Sequence, residues 1–458
     1  MAEETPLLSK QAAALVPEGA GKRRGILASF FALGAGSCIT FNSVVMAVAY
    51  FKEEMGPGVL RKVAVAHDSA LLLVLVVIIW FARVPSGWYP ALLSGSLLVG
   101  LAFNAFVLCM VALRTAAPEA LFLALIAVNG LATGVLQGLG ASLAGQFDPY
   151  SAFSGAGALV LSGVGFGILF PCLTQCATLP FAATASGSAE LHEVARIGAM
   201  VSAGTAAGAC LLALAGVRLL MRTNIFKIVL AGELPFEEDP RRFGLGELSM
   251  GALLKMGEHA VEVVGRRVRS VAPYVVGEFV NETCIVFLML MSPLLPMASG
   301  SSKFWSHYLA TILLAVTNIM GFAGRMIATA LAMQCEDENG VAICTPDVPL
   351  LLSPSRKLKR KGLVAAVLLA PLPAVIALWY RQESAEVPGI PDSNVWPVLL
   401  YGAAAFVSGF TVVSISEESH AVCGFTHMTP CPVVAQLIYL CLNLGALVGT
   451  ILSFVLIR

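Results

Sequence analysis

The chain has 458 residues, of which 58% are hydrophobic and only 12% are charged. Ordinary globular domains carry about 25% charged residues, so this composition argues against a soluble protein. Lysine plus arginine and aspartate plus glutamate balance at 28 each, so no overall positive charge favours nucleic-acid binding.

Long apolar runs follow one another along the whole sequence. A helix needs about 20 apolar residues to cross the ~30 Å hydrocarbon layer of a bilayer. We therefore predict an all-α membrane protein with eleven transmembrane helices near 25–51, 63–82, 89–113, 118–142, 152–176, 195–221, 271–296, 305–333, 362–380, 395–416 and 431–457. The second run is the weakest, because His67 and Asp68 lie near its start.

The amino-terminal tail, residues 1–23, is polar and lacks the hydrophobic core of a signal peptide. Glu3 followed by Leu7-Leu8 fits an acidic dileucine sorting signal. A sorting adaptor is therefore a predicted partner, and an endolysosomal membrane is the alternative to the plasma membrane.

One long hydrophilic segment, 222–270, separates an N-terminal bundle of six runs (24–221) from a C-terminal bundle of five (271–458). Within it, 244–266 is either an amphipathic surface helix or a partly ordered loop. Basic residues cluster in the tail, in this segment and at 356–361, all on one side of an eleven-helix chain. The positive-inside rule places that side in the cytosol and the carboxyl end outside the cell. Two bundles joined by a cytosolic linker are typical of a carrier whose site lies between them.

Cysteine and motif patterns favour neither a metal site nor an enzyme. Cys172 and Cys176 are four residues apart with no histidine cluster nearby, so no metal or cofactor is predicted. Cys335 and Cys344 flank a polar loop that the topology places in the reducing cytosol. The sequence contains no P-loop, no Gly-x-Ser-x-Gly and no His-Glu-x-x-His.

Arg325 is the sharpest polar feature inside an apolar run. A central guanidinium costs about 2.5–3.5 kcal/mol on insertion scales, so Arg325 either snorkels to the surface or faces a polar cavity with a partner. Asn318 lies two turns earlier on the same helix face.

Gln137 is the second polar feature, with Thr133 one turn before it on the same face. Its carboxamide offers two donors and an acceptor, which suits either the edge of a nucleobase or a hydrogen bond between helices. Asn42, next to Phe41, and Ser408 are polar interruptions of the first and tenth runs.

Glu278 and Glu282 are four residues apart in the seventh run and therefore share a helix face. Three interpretations remain open. Either carboxylate pairs with Arg325, or one carries a proton together with a substrate, or both lie near the outer membrane surface.

Five segments carry family-like motifs in order over most of the chain: LGAGSCITFN (33–42), GVLQGLGASLAG (134–145), TNIMGFAGR (317–325), VSGF (407–410) and LGALVGTILSF (444–454). Together they resemble the equilibrative nucleoside transporter family. The resemblance implies a 6+5 pseudo-symmetric, major-facilitator-like fold. It also implies transport of nucleosides, purine nucleosides such as adenosine and inosine above all and nucleobases besides, by alternating access that is facilitative or proton-linked.

The same resemblance assigns roles to single residues. Gln137 would bind the base and Arg325 the ribose hydroxyls. Asn318 would support the site, while Phe41 and Asn42 would line its extracellular side.

Two departures from the family pattern are closer to its protist members. The aspartate of the eighth-helix motif is Gly321 here, and the Pro-Trp pair of the first helix is Thr40-Phe41. We predict that Glu282 or Glu278 supplies the missing acid. The missing aspartate and the dileucine signal also leave a different class open, a non-transporting endolysosomal membrane protein.

Overall fold

The protein is described by a computed structural model, in which residues 20–56, 59–80, 86–115, 117–147, 156–184, 188–223, 226, 250–291, 303–332, 356–382, 395–422 and 432–456 are placed. These residues form α-helices almost throughout. The helices are α1 (Ala20–Met46), α2 (Val48–Met55), α3 (Val59–Trp80), α4 (Tyr89–Ala112), α5 (Glu119–Phe147), α6 (Ala156–Thr184), α7 (Ser188–Met221), α8 (Met250–Met291), α9 (Lys303–Ala332), α10 (Arg356–Leu369), α11 (Pro371–Gln382), α12 (Val395–Val422) and α13 (Pro432–Leu456). The dileucine pair and the Cys335–Cys344 loop lie outside the placed residues.

Nine helices within the placed residues are long and apolar enough to span a membrane: α1, α4 to α9, α12 and α13. Helix α3 has 22 residues and occupies the position of the weak second run. The ninth run is divided into α10 and α11 at Ala370. Pro371 opens α11, because proline has no N–H to continue the ladder of the preceding helix.

The same pattern of helix pairing occurs twice in the chain. We call α1–α7 the N-terminal bundle and α8–α13 the C-terminal bundle. The most extensive interfaces are α1 with α6 and α3 with α5 in the first bundle, and α8 with α13 and α9 with α12 in the second. In terms of the predicted transmembrane runs, each bundle therefore pairs its first run with its fifth and its second run with its fourth. This repetition is the internal pseudo-symmetry that the predicted fold requires.

Glycines allow these paired helices to approach closely. A Cβ added to Gly163 in α6 would overlap the carbonyl oxygen of Phe31 in α1. Likewise, a Cβ on Gly409 in α12 would overlap the carbonyl oxygen of Gly321 in α9. Helices in lipid associate largely through such close packing, so these glycines determine how the bundles are assembled.

Helix α8 continues without a break from Met250 to Met291 and contains Pro273. The amphipathic helix considered for 244–266 is thus confirmed as helical backbone from Met250 onward. It is the first part of the seventh transmembrane helix rather than a separate element.

Replacing Gly163 with alanine is expected to destabilise the protein by about 1–3 kcal/mol, because the added methyl group would be forced against the backbone of α1. Thermal unfolding of the detergent-solubilised protein measures the effect. Gly204→Ala in α7 is the matched control, since no atom lies within 4 Å of a Cβ at that position and alanine favours a helix. Equal thermal stability of the two variants would contradict the close contact of α1 with α6.

Candidate functional site

A buried carboxamide joins the two bundles. Nδ2 of Asn443 in α13 donates to Oε1 of Gln137 in α5 at 2.8 Å, and Nε2 of Gln137 donates to Sγ of Cys38 in α1 at 3.2 Å. Gln137 is only 3% exposed. The sequence left two roles open for Gln137, and hydrogen bonding between helices is the one seen here.

A second polar contact joins α6 with α9. Nη1 of Arg325 donates to the carbonyl oxygen of Leu161 at 3.1 Å. One turn later, the hydroxyl of Thr329 is hydrogen-bonded to the hydroxyl of Ser162 and lies 3.3 Å from the carbonyl oxygen of Ala158. A residue larger than glycine at position 165 would crowd Arg325, because an added Cβ would lie 2.7 Å from its Cδ. We call this the α6–α9 contact.

Arg325 is 8% exposed and buried between the bundles, so it does not snorkel. The predicted ion pair of Arg325 with Glu278 or Glu282 is wrong for this conformation. Its guanidinium reaches α6 instead, and the ion pairs among the placed residues do not include it. Both carboxylates, on α8, are still near enough to interact with it electrostatically.

Glu278 is 0% exposed, and no placed residue donates a hydrogen bond to either carboxylate oxygen. Nδ2 of buried Asn281, one turn along α8, and the hydroxyl of buried Tyr439 in α13 also lack a partner among the placed residues. Glu282 is half-buried. Glu278 is thus enclosed by protein, whereas Glu282 is less deeply buried.

The imidazole of His67 organises the residues predicted on the outer side. Its ring stacks on Phe41 with 3.8 Å between centroids and an interplanar angle of 13°. Nδ1 lies 2.9 Å from a carboxylate oxygen of Asp68, and Nε2 lies 3.4 Å from the hydroxyl of Thr133. Thr133 thus contacts His67, and one face of Phe41 is covered. Asn42 donates to the carbonyl oxygen of Cys38 within its own helix.

Asn318 and Ser408 are buried in the C-terminal bundle. Nδ2 of Asn318 has no partner among the placed residues. Ser408 precedes Gly409, at the close contact of α12 with α9. The structure therefore places both on the paired helices α9 and α12, and Asn318 makes no bond to Arg325.

The bundles are packed together at the end where α1 begins. Leu161 and Ser162 lie near the start of α6, while Arg325 and Thr329 lie near the end of α9. Apolar contacts at this end join Leu75 and Ile78 of α3, Ala328 of α9, Val412 of α12, and Tyr439 and Leu442 of α13. This end is the one that the positive-inside rule places in the cytosol.

Sequence reasoning missed four residues of these contacts: Cys38, Ser162, Thr329 and Asn443. One usable signal was present, since Asn443 directly precedes the LGALVG motif. The hydroxyls and the thiol gave none, because such side chains are common in membrane helices. Among the placed residues, no group of three or more histidines, cysteines and acids is arranged to hold a metal ion.

No protein-family model matches the chain, and no curated protein is significantly similar to it in sequence. Solved structures do match. FucP, a major facilitator superfamily transporter in the outward conformation, has a TM-score of 0.54 at 16% identity, over 94% of this chain and 91% of that chain.

The proton:xylose symporter XylE, bound to 6-bromo-6-deoxy-D-glucose, has a TM-score of 0.56 at 11% identity, with coverage of 96% and 89%. A variant of the E. coli fucose:proton symporter FucP gives 0.55 at 14% identity, with coverage of 94% and 91%. At these identities the likeness establishes the fold, and the predicted all-α, major-facilitator-like arrangement is confirmed.

A double-mutant cycle of Gln137→Ala and Asn443→Ala tests the bond between the bundles. We expect a coupling energy of about 0.6 kcal/mol, and at most about 1.7 kcal/mol, as found for hydrogen bonds between membrane helices. Denaturant titration in mixed micelles gives the free energies of unfolding. Tyr401→Phe replaces Asn443→Ala in a control cycle, because Tyr401 donates to the carbonyl oxygen of Leu288 within the C-terminal bundle. The changes in unfolding free energy caused by Tyr401→Phe and Gln137→Ala should therefore be additive. Additivity of the Asn443 pair as well would show that the two amides do not interact.

Proposed function

We propose that this protein is a multi-pass membrane transporter, not an enzyme, and that it moves nucleosides by alternating access. The observation that carries the proposal is the burial of Gln137 and Arg325 at the interface of two pseudo-symmetric bundles, each side chain bonded to the opposite bundle. Ionisable and amide groups held at such a depth are typical of substrate pathways.

The chemistry of these two side chains suits a nucleoside. A carboxamide presents a donor and an acceptor side by side, which matches the edge of a nucleobase. A base at this position would replace the thiol of Cys38 and the amide of Asn443 as partners of Gln137. The guanidinium of Arg325, with several N–H donors, suits the ribose hydroxyls. On the same helix, Nδ2 of Asn318 has no partner among the placed residues. In this proposal purine nucleosides such as adenosine and inosine are preferred, nucleobases are further substrates and no cofactor takes part.

The transport cycle would move one bundle against the other around this site. In this proposal, the end closed by the α6–α9 contact and by Gln137 with Asn443 is the cytosolic end, and the described conformation is the outward-facing state of the cycle. Opening toward the cytosol requires these hydrogen bonds to break. Phe41, Asn42, Thr133, Glu282 and Ser408 would then line or support the substrate route.

We propose a plasma-membrane location with a cytosolic amino terminus and an extracellular carboxyl terminus. In this proposal the protein is embedded in the lipid bilayer and does not bind nucleic acid. An adaptor at Leu7-Leu8, and with it an endolysosomal, non-transporting role, stays a prediction. A monosaccharide is the second candidate substrate, because the similar structures FucP and XylE are symporters of fucose and xylose.

Gln137→Ala is expected to lower adenosine uptake by about tenfold or more. Two hydrogen bonds to the base, of about 0.5–1.5 kcal/mol each, would be lost, and each 1.4 kcal/mol of binding free energy changes the affinity tenfold. Uptake of labelled adenosine into oocytes, normalised to surface expression, measures it. Gln175→Ala is the matched control, because Gln175 is bonded to Ser202 on α7 within the N-terminal bundle.

Competition by unlabelled inosine, adenine and fucose separates the candidates. Inhibition by inosine but not fucose supports the nucleoside carrier. Inhibition by fucose alone would assign a sugar. Unchanged uptake in Gln137→Ala would mean that this amide has only a structural role.

A further inference from the structure

The carboxyl group of Glu278 has no role in the contacts between the bundles. It is fully buried within the protein, and neither oxygen receives a hydrogen bond from a placed residue. An ionised carboxylate in that situation loses several kcal/mol of solvation without compensation. The group is therefore best accommodated as a neutral carboxylic acid that holds a proton.

The groups around Glu278 fit a site that gains and loses this proton. Helix α8 packs against α3, α9, α10, α11, α12 and α13. The charged groups near Glu278 are Arg325 from α9 and Glu282 on α8 itself, and the neutral side chains of Tyr439 and Cys441 on α13 lie close by. On α3, His67 and Asp68 contact each other, with 2.9 Å between Nδ1 and a carboxylate oxygen. The charged side chains of α10, α11 and α12 lie outside the described part of the chain. Among the side chains that are described, Arg325 is the cation near Glu278 that can stabilise a carboxylate.

Glu282 provides a route toward the outer side. It lies one turn beyond Glu278, in the direction of the predicted extracellular end of α8, and it is half-buried where Glu278 is fully buried. Two acids that lie one turn apart on a single helix face, the outer one less buried than the inner one, could pass a proton inward.

We propose that Glu278 is a proton-binding site that couples this carrier to the proton gradient, an inference that rests on the transport function proposed above. With the bundles closed at the cytosolic end, the carboxylate takes one proton from the outer solvent by way of Glu282 and becomes neutral. When the α6–α9 contact opens, Arg325 loses the carbonyl oxygen of Leu161 and turns to the acids of α8. The guanidinium then stabilises the carboxylate, and the proton leaves to the cytosol. Each cycle binds and releases one proton.

The test uses the full chain in proteoliposomes with an imposed proton gradient. A gradient of about two pH units can support at most about 100-fold accumulation of nucleoside per coupled proton, because each unit is a factor of ten in proton activity. Wild-type protein should accumulate labelled adenosine against its gradient and acidify the vesicle interior. Glu278→Gln should lose both, yet retain exchange of labelled for unlabelled adenosine, because the amide imitates the protonated acid.

Two further variants guard against misfolding and nonspecific effects. Glu278→Asp keeps a carboxyl group and should keep gradient-driven accumulation. Glu119→Gln removes an exposed carboxylate at the start of α5, paired with Lys62, and should behave as wild type. Accumulation that persists in a folded Glu278→Gln protein overturns the proposal.

The outcomes separate this proposal from the carrier function. Adenosine uptake without proton movement refutes the proton site and leaves the carrier intact. If no nucleoside is taken up at any pH, the carrier function fails, and infrared spectroscopy still tests the site. A carbonyl band of a protonated carboxylic acid at neutral pH should be present in wild type and missing in Glu278→Gln. Its absence from wild type overturns the proposal.

Discussion

The hydrogen bond from Asn443 to Gln137 satisfies a buried amide of one bundle with a donor from the other. Inside a membrane there is no bulk water to replace such a partner, and an unsatisfied polar group costs several kcal/mol. The α6–α9 contact obeys the same constraint, because Arg325 uses a backbone carbonyl of the opposite bundle. The closed end of the protein is therefore stabilised by hydrogen bonds that satisfy buried polar groups of both bundles. Any other conformation must supply new ones, from a substrate, from water or from the acids of α8.

Close helix packing decides which partners are available. Gly165 in α6 leaves room for the stem of Arg325, so its guanidinium reaches Leu161 rather than Glu278 or Glu282. The glycine contacts of α1 with α6 and of α9 with α12 similarly fix the spacing within each bundle. Polar chemistry at the interface thus depends on residues that have no side chain. The acid that the family pattern places beside Arg325 is absent, and geometry has given the arginine a different neighbour.

The architecture could be predicted from the sequence because length and apolarity determine which segments cross a bilayer. The exceptional residues Gln137, Arg325 and Glu278 also stood out, since burying each of them is unfavourable. Their partners could not be predicted. Whether Arg325 meets Leu161 or Glu282 depends on how α9 is rotated about its axis, and no periodicity in one run fixes that. His67 shows the reverse case. A histidine near the start of a run weakens the prediction of a helix there, yet the contacts of His67 with Asp68 and Phe41 explain how α3 accommodates it.

Helix α8 is 42 residues long, which at 1.5 Å per residue is about 63 Å, roughly twice the thickness of the hydrocarbon layer. Much of it must therefore project beyond the lipid as a stiff lever arm. Pro273 removes one backbone hydrogen bond and gives this arm a joint just before Glu278. If a bound protein or an added phosphate moved the projecting part of α8, the helix would bend at Pro273. The interior of the protein would then respond to forces that act outside the membrane.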